Sequence, residues 1–430
     1  MDNIKKTDNE EHLAVLVNAV LPGMTPSECE RSLDELEELL HTAGGKAYCR
    51  MLQVKDKPEP DTFLGKGKLE ELDEVCKNNG ISLVVFDTEL APSQIRNIEN
   101  ELHDVSVIDR TMLILDIFAS HAVTREGILQ VEIAHLKYTA PRLMGKGKDL
   151  SRLGGGIGTR GPGESKLETD RRHIKRRIAT LEEELKELEK NRVTQHAKRK
   201  KSGITSIAVA GYTNAGKSTL MNYITGAGIL AEDKLFATLD PTTRKYVLPN
   251  AGEVLITDTV GFINNLPHHL VKAFKSTLDE VAYADIILLV SDASDPETDM
   301  KLTVCRELIN SLLEERGEQA KPIIYVFNKC DKVEPHSIDP FDAPCEDCVY
   351  ISAKTGMGCD TLIEKIESVL SGFKKKIVLE IPHAMAKIES DVRRGCTVTD
   401  VEYTADGIVM SVVADDRIIG KYKEFIKNDG

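Results

Sequence analysis

A chain of 430 residues is long enough for about three domains. Its 56 basic against 70 acidic residues, a net charge of −14, exclude a protein that holds nucleic acid by global basicity. Nine cysteines, an odd number without a framework, exclude a disulfide scaffold and fit a reducing cytoplasm. The polar start from Met1 to Glu11 carries no signal peptide and no apolar run approaches membrane-spanning length, so the expected location is cytoplasmic. Charge is unevenly spread. From Arg142 to Lys201 there are 18 basic and 9 acidic residues, which leaves 38 against 61 elsewhere. A basic middle on an acidic body points to one directed contact with a polyanion, and a solvated helix face accounts for part of the excess.

In chain order, Leu13 to Val17 reads as a strand, and a helix opening at Ser27 after Pro26 carries Leu33, Leu36, Leu39 and Leu40 on one face. Ala47 to Val54 is strand-like. Gly65-Lys66-Gly67-Lys68 lacks the spacing and hydroxyl of a phosphate loop and reads as the start of a helix that stops near Asn79-Gly80. Ile81 to Phe86, Pro92 to Leu102 and Val105 to Ile108 continue as strand, helix, strand, an alternation that argues for a parallel sheet covered by helices. This is the first expected domain, 1–110, of α/β class.

From Thr111 the pattern turns helical. Leu129, Ile133, Leu136 and Ala140 repeat at four and three, a coiled-coil seam that Pro141 bends or ends. A second seam runs through Leu167, Ile174, Ile178, Leu181, Leu185 and Leu188, interrupted by Arg171. Two such helices with one connection predict an antiparallel hairpin over 111–202. The connection, Gly145 to Gly163, holds eight glycines, four basic residues (Lys146, Lys148, Arg152, Arg160) and one acid. It cannot bury a core, and a neutral linker would sooner be Gly/Ser-rich, so RNA contact through those four residues is favoured over a mere tether.

A third domain, 203–372, opens with an apolar run from Ile204 to Ala210, then Gly211-Tyr212-Thr213-Asn214-Ala215-Gly216-Lys217-Ser218, then a helix. Strand, glycine loop and helix in that order form a phosphate-binding loop, a P-loop domain with a doubly wound sheet. The glycines let successive N–H groups converge on an anion, the helix start adds its dipole, Lys217 reaches the outer phosphates, and the Ser218 hydroxyl can ligate magnesium. Val254 to Thr257 ends in Asp258-Thr259-Val260-Gly261, where Asp258 can hold magnesium through water and the Gly261 N–H can sense the γ-phosphate. Ile323 to Phe327 ends in Asn328-Lys329-Cys330-Asp331, whose carboxylate can accept both N1–H and the exocyclic amine of guanine. Val349 to Ile351 leads into Ser352-Ala353-Lys354, suited to backing the base. Four motifs in order, each at a strand end, read as a guanine-nucleotide switch binding GTP and GDP. Cys345 and Cys348 form the only tight cysteine pair and find no partners at zinc spacing. The remainder, 373–430, reads as a small α+β domain with a hairpin signal at Asp406-Gly407.

The phosphate loop, the run Leu235-Phe236-Ala237-Thr238-Leu239-Asp240-Pro241-Thr242-Thr243-Arg244, the stretch Asp258 to Ile263, and Gly158-Thr159-Arg160-Gly161-Pro162-Gly163-Glu164 together resemble the HflX family, GTPases of the translation-factor class. The resemblance runs from the Gly-Lys-Gly-Lys stretch to the end of the nucleotide domain. It implies a protein on the large ribosomal subunit that acts in dissociating stalled or stressed ribosomes. It also implies a first switch over Phe236, Ala237, Thr238, Leu239 and Asp240, with Thr238 on magnesium and the γ-phosphate; Thr242 and Thr243 are rivals on chemistry alone. Phe262 follows Gly261 where many GTPases carry a water-orienting glutamine, so hydrolysis is expected to be slow without a partner. Asn214 matches the position where some related GTPases ligate potassium. The expected cofactors are thus magnesium and potassium. The expected partners are GTP or GDP and ribosomal RNA of the large subunit, without DNA or a membrane, for a monomer. Two other readings stay open: a GTPase assisting tRNA modification, and an RNA-binding scaffold with a structural nucleotide.

Overall fold

The computed structural model describes residues 12–143, 162–202, 204–226, 235–236, 241–263, 275–333, 347–372, 374–395, 397–404, 407–415 and 422–426. By its contacts the chain forms two compact units: residues 1–191 with 230–241 and 260–279, and residues 192–229 with 242–259 and 280–430.

The first unit is built on four parallel strands, β1 (His12–Val20), β2 (Gly45–Val54), β3 (Leu83–Phe86) and β4 (Ser106–Asp109), in the order β2-β1-β3-β4. Strands buried on both faces carry continuous apolar runs, which is why Leu13 to Val17 and Leu83 to Phe86 read so plainly. Helices α1 (Pro26–Thr42), α2 (Lys66–Asn79), α3 (Pro92–Glu101) and α4 (Arg110–His121) complete it. A capping box starts α1: Glu28 N–H donates to Thr25 Oγ1 at 3.2 Å and Thr25 N–H donates to Glu28 Oε2 at 2.7 Å, with Pro26 in the first turn. The predicted leucine face of α1 is buried. The Gly-Lys-Gly-Lys stretch is a helix start, with Gly65 as N-cap of α2 and left-handed Gly80 ending it. Helix α4 packs on β3, β4 and α1. Below it Arg110, 2% exposed, donates to Glu35 and to Asp87 Oδ1, and Asn18 Nδ2 donates to Asp87 Oδ2 at 2.8 Å, so the buried charges are neutralised in place.

The hairpin is α5 (Arg125–Leu143), with Pro141 in its last turn, and α6 (Pro162–Ser202), about 60 Å long at 1.5 Å per residue. Leu129, Ile133 and Leu181 form its seam, with Leu136, Leu185 and Leu188 against them. Across the two helices Arg125 meets Glu184, Glu132 meets Arg177 and Lys137 meets Glu182. Most of the predicted basic connection, including Lys146, Lys148, Arg152 and Arg160, lies outside the described residues.

Asp116 of α4 sits 4.0 Å from His135 Nε2 of α5, and burial raises its carboxyl to about 6. Burial also lowers the neighbouring His135 imidazole. A carboxyl raised in the folded state binds its proton more tightly there than in the unfolded chain, so this group costs stability as pH climbs from about 4 to above about 6. Asp116→Asn should therefore raise the melting temperature at neutral pH and leave it unchanged near pH ~4. An equal change at both pH values would show that packing, not charge, is at work.

The second unit carries a six-stranded sheet of β5 (Thr205–Gly211), β6 (Thr242–Leu248), β7 (Gly252–Asp258), β8 (Ile286–Asp292), β9 (Ile323–Asn328) and β10 (Cys348–Tyr350), ordered β10-β9-β8-β5-β7-β6. All pairs are parallel except the edge strand β6, which is antiparallel to β7. Helices α7 (Lys217–Thr225), α9 (Thr298–Arg316) and α10 (Cys359–Gly372) follow their strands, while α8 (Lys275–Tyr283) has its residues up to Asp279 counted with the first unit and the rest with the second. A small antiparallel sheet, β11 (Lys374–Pro382), β12 (Thr397–Tyr403) and β13 (Gly407–Asp415), ordered β11-β13-β12, closes the chain with α11 (Ala386–Gly395) over a core of Leu379, Ile381, Val392, Ile408, Met410 and Val412. Among the described residues no helix is long and apolar enough to cross a membrane.

Candidate nucleotide-binding site

In the larger sheet the chain leaves β5, builds β7 on one side of it and β8 on the other. The carboxyl end of β5 is thus a topological switch point, where open α/β sheets hold ligands. Gly211 stands there with φ +148°, and a Cβ on it would lie 2.1 Å from the Val290 carbonyl oxygen. Gly216 closes the loop with φ +91°, and a Cβ there would lie 2.2 Å from Asn328 Nδ2. Both glycines are demanded by neighbours as well as by dihedrals. Between them Asn214 takes φ +59° and is exposed, while Tyr212, Thr213 and Ala215 are buried.

Helix α7 begins at Lys217, whose Nζ donates to the Tyr212 carbonyl at 2.7 Å. Burial holds this ammonium below its usual range, with the Asp258 charge pulling the other way. Ser218 Oγ donates to Asp258 Oδ2 at 2.7 Å, which joins the loop to the end of β7. Thr259 follows, and its N–H and hydroxyl both donate to the Val209 carbonyl, at 3.2 and 2.8 Å. A hydroxyl and a carboxylate side by side are hard oxygen ligands of the kind magnesium takes.

Two further motifs converge on the loop through one side chain. Asn328, 2% exposed at the end of β9, donates from Nδ2 to the Ala215 carbonyl at 2.8 Å and accepts at Oδ1 from the Ala353 N–H at 2.9 Å. Cys330 N–H donates to the Ile351 carbonyl at 3.1 Å. Asp331 is exposed, and Ser352 Oγ donates to its Oδ1 at 2.7 Å, a bond that holds the carboxyl below its ordinary range. Lys354 is exposed beside it. Lys329, at φ +63°, pairs with Asp292 Oδ2 of β8 at 2.8 Å. The motifs spaced over Gly211 to Lys354 therefore form one hydrogen-bonded cluster at the strand ends.

Sequence patterns did not single out Asp292 or the brace on Tyr212, where Lys301 Nζ lies 5.0 Å from the ring centroid and 2.6 Å from Asp295 Oδ2. These are pairings between distant residues, and no local spacing announces them. Thr242 and Thr243 lie in β6, paired with Asp258 and Thr257, and Thr243 Oγ1 is 3.0 Å from Thr257 Oγ1. Phe236 belongs by its contacts to the first unit. It takes φ +57°, is 3% exposed, and packs edge-on to Phe118 at 4.6 Å, while the Leu235 N–H donates to Thr42 Oγ1 at 3.2 Å. Ala237, Thr238, Leu239 and Asp240 lie outside the described residues, as does Cys345. Val260 and Gly261 also fall in the first unit, followed by Phe262 at 2% exposure. Among the described residues no three His, Cys, Asp or Glu converge as a metal centre.

Comparison with known proteins adds independent findings. Residues 30–119 match the family described as GTP-binding GTPase N-terminal, residues 121–199 the GTP-binding GTPase Middle Region, and residues 206–329 the 50S ribosome-binding GTPase. GTPase HflX of Lacrimispora saccharolytica is 49% identical over 400 residues, 92% of each chain. GTPase HflX of Caldanaerobacter subterraneus subsp. tengcongensis is 45% identical and covers 99% of this chain and 96% of that one. A solved GTP-binding protein of the archaeon Sulfolobus solfataricus in complex with GDP is 26% identical, with a TM-score of 0.45 over 83% of this chain and 97% of that one.

Proposed function

The chain belongs to the HflX family of GTPases, and on that footing we propose that it is a GTP-hydrolysing switch on the large ribosomal subunit, acting in ribosome dissociation, rescue or biogenesis. GTP hydrolysis and binding of GTP and GDP come with the family. The ribosomal role rests on one observation above all: the family matched by residues 206–329 is described as ribosome-binding. The excess of basic residues between Arg142 and Lys201 gives such a protein a place to meet ribosomal RNA. A passive scaffold with an idle nucleotide does not fit a family of GTPases.

In this reading Gly211 to Ser218 cradle the phosphates, Asp331 selects guanine, and Ser352 to Lys354 back the base. Ser218 and Thr238 would hold magnesium, and Asp258 would support it through water; the 2.7 Å bond between Ser218 and Asp258 keeps these two side chains adjacent. Magnesium, when bound, neutralises charge on the transferring phosphoryl group. Lys217, Thr238 and Gly261 serve the γ-phosphate. Asn214, exposed in the loop, is the candidate for potassium, and exchanging potassium for sodium in a turnover assay tests it. The protein acts as a monomer on RNA and not on DNA.

The contact with RNA is assigned to Lys146, Lys148, Arg152 and Arg160. Each phosphate contact adds roughly 0.7 to 0.9 to the slope of log affinity against log salt, so losing four should flatten that slope by roughly 3 to 3.6. Co-sedimentation with large subunits over a salt series, with GDP and with a non-hydrolysable GTP analogue, tests the assignment. The variant with alanine at all four positions should bind more weakly and less salt-dependently, with its affinity for free GTP intact. Sedimentation equal to the parent's at every salt concentration would make the stretch a tether.

A further inference from the structure

Lys329 stands between Asn328, which braces two loops of the site, and Asp331, assigned to the edge of guanine. Its φ of +63° lies in the left-handed region, where a residue with a side chain is strained and persists only if its surroundings hold it. The backbone is held on both sides. Asn328 is paired with Asp292 in the ladder of β8 and β9, and the Cys330 N–H donates to the Ile351 carbonyl at 3.1 Å. The side chain is held too, with Nζ 2.8 Å from Asp292 Oδ2 and each partner only 20% exposed.

Asp292 is itself a fixed anchor. It is the last residue of β8, and its Oδ1 accepts from the Ser294 N–H at 2.9 Å and from Ser294 Oγ at 2.6 Å. The two oxygens have separate tasks: Oδ1 shapes the turn after β8, and Oδ2 reaches across to the end of β9. Burial pushes this carboxyl up, but the bonds from Lys329 and Ser294 outweigh it and hold it below its ordinary range. A charged pair largely withdrawn from water binds more firmly than a surface pair. Released from that pair, a left-handed lysine can relax towards the ordinary backbone regions, and the residues on either side of it turn with it.

We propose that Asp292 is a positioning residue for base recognition: by pairing with Lys329 it keeps the turn from Asn328 to Asp331 in the conformation that holds guanine, and so sets how long the nucleotide stays bound. The inference rests on the GTP site of the preceding section and deepens it. The pair acts on the base turn and not on a phosphate, so its loss should speed the release of GDP and of a GTP analogue by the same factor.

The test is the rate at which fluorescently labelled GDP and a labelled non-hydrolysable GTP analogue leave the full chain. It compares the parent, Asp292→Asn, Lys329→Met and the double variant, with Ser294→Ala as the control for the turn after β8. Asparagine keeps an acceptor for Ser294 but loses the charge that meets Lys329, and methionine keeps a long stem but loses the ammonium. Asp292→Asn should speed release of both nucleotides about five- to twentyfold, and Lys329→Met should do at least as much from the other end of the pair. In the Lys329→Met background Asp292→Asn should add nothing. Ser294→Ala should stay within about twofold of the parent. Release at the parent's rate from Asp292→Asn or from Lys329→Met would overturn the proposal. So would an Asp292→Asn effect that persists beside Lys329→Met, or one that Ser294→Ala reproduces, since either makes Asp292 a prop of its own turn. If the parent binds neither nucleotide, the GTP site itself is wrong and the inference falls with it; if the parent binds both and only the release rates fail to move, the site stands and Asp292 is idle.

Discussion

Replacing Asp331 with asparagine is expected to cost GDP and GTP about 2–4 kcal/mol of affinity, roughly a thirty- to thousandfold loss, and to create affinity for xanthine nucleotides. The carboxylate offers two acceptors to the two donors on guanine's edge, a charge-assisted bidentate pair. Asparagine keeps one acceptor and turns an NH2 towards guanine's amine, donor against donor, whereas xanthine presents a carbonyl at that place. The scaffold for this pair is already in position, because Ser352 Oγ holds Asp331 Oδ1 at 2.7 Å. Calorimetry with GDP and xanthosine diphosphate reads both halves of the prediction. GDP affinity equal to the parent's would remove Asp331 from the base pocket.

Asn328→Ala should do damage of a different kind. This one side chain ties the phosphate loop at Ala215 to the base-backing loop at Ala353, and both residues are buried. Alanine leaves a carbonyl and an N–H unpaired in the interior, at about 1–3 kcal/mol each. For a domain of this size that is a fall of roughly 5–15 °C in melting temperature. Nucleotide affinity should fall too, since both loops lose their common brace. Asn328→Asp keeps the acceptor for Ala353 but sets a carboxylate against the Ala215 carbonyl, so it should not rescue the alanine variant. A melting temperature close to the parent's, with GDP affinity retained, would show that the two loops are held by other means.

The parts that could be read from the sequence follow simple rules of spacing. The phosphate loop was legible because Gly211, Gly216 and Lys217 occupy fixed steps between a strand and a helix, and the structure shows backbone dihedrals and close neighbours at both glycines that exclude a side chain. The parallel sheets were legible because strands covered on both faces are apolar throughout, and the hairpin because its leucines keep step every three and four residues. Edge strand β6, Thr-Thr-Arg-Lys-Tyr-Val-Leu, escaped such a reading because it is half exposed and polar. Its pairing with β7 fixes it instead. The salt bridge of Lys329 with Asp292 and the Lys301 brace on Tyr212 are long-range facts, which only the folded chain brings together. Phe236 was expected as part of a switch; its ring is seated against Phe118, a contact between residues far apart in the chain.

A GTPase of this build should depend for its turnover on the large ribosomal subunit. Phe262, buried and without a hydrogen-bonding group, follows Gly261 where a water-orienting glutamine would otherwise stand, so the free protein lacks that means of placing the attacking water. The decisive measurement is steady-state GTP turnover of the full chain, alone and with increasing purified large subunits. Slow turnover alone is expected, with a rise on the order of a thousandfold at saturation, the scale of a catalytic group supplied in trans. Turnover that is the same with and without subunits would contradict a ribosome-activated switch.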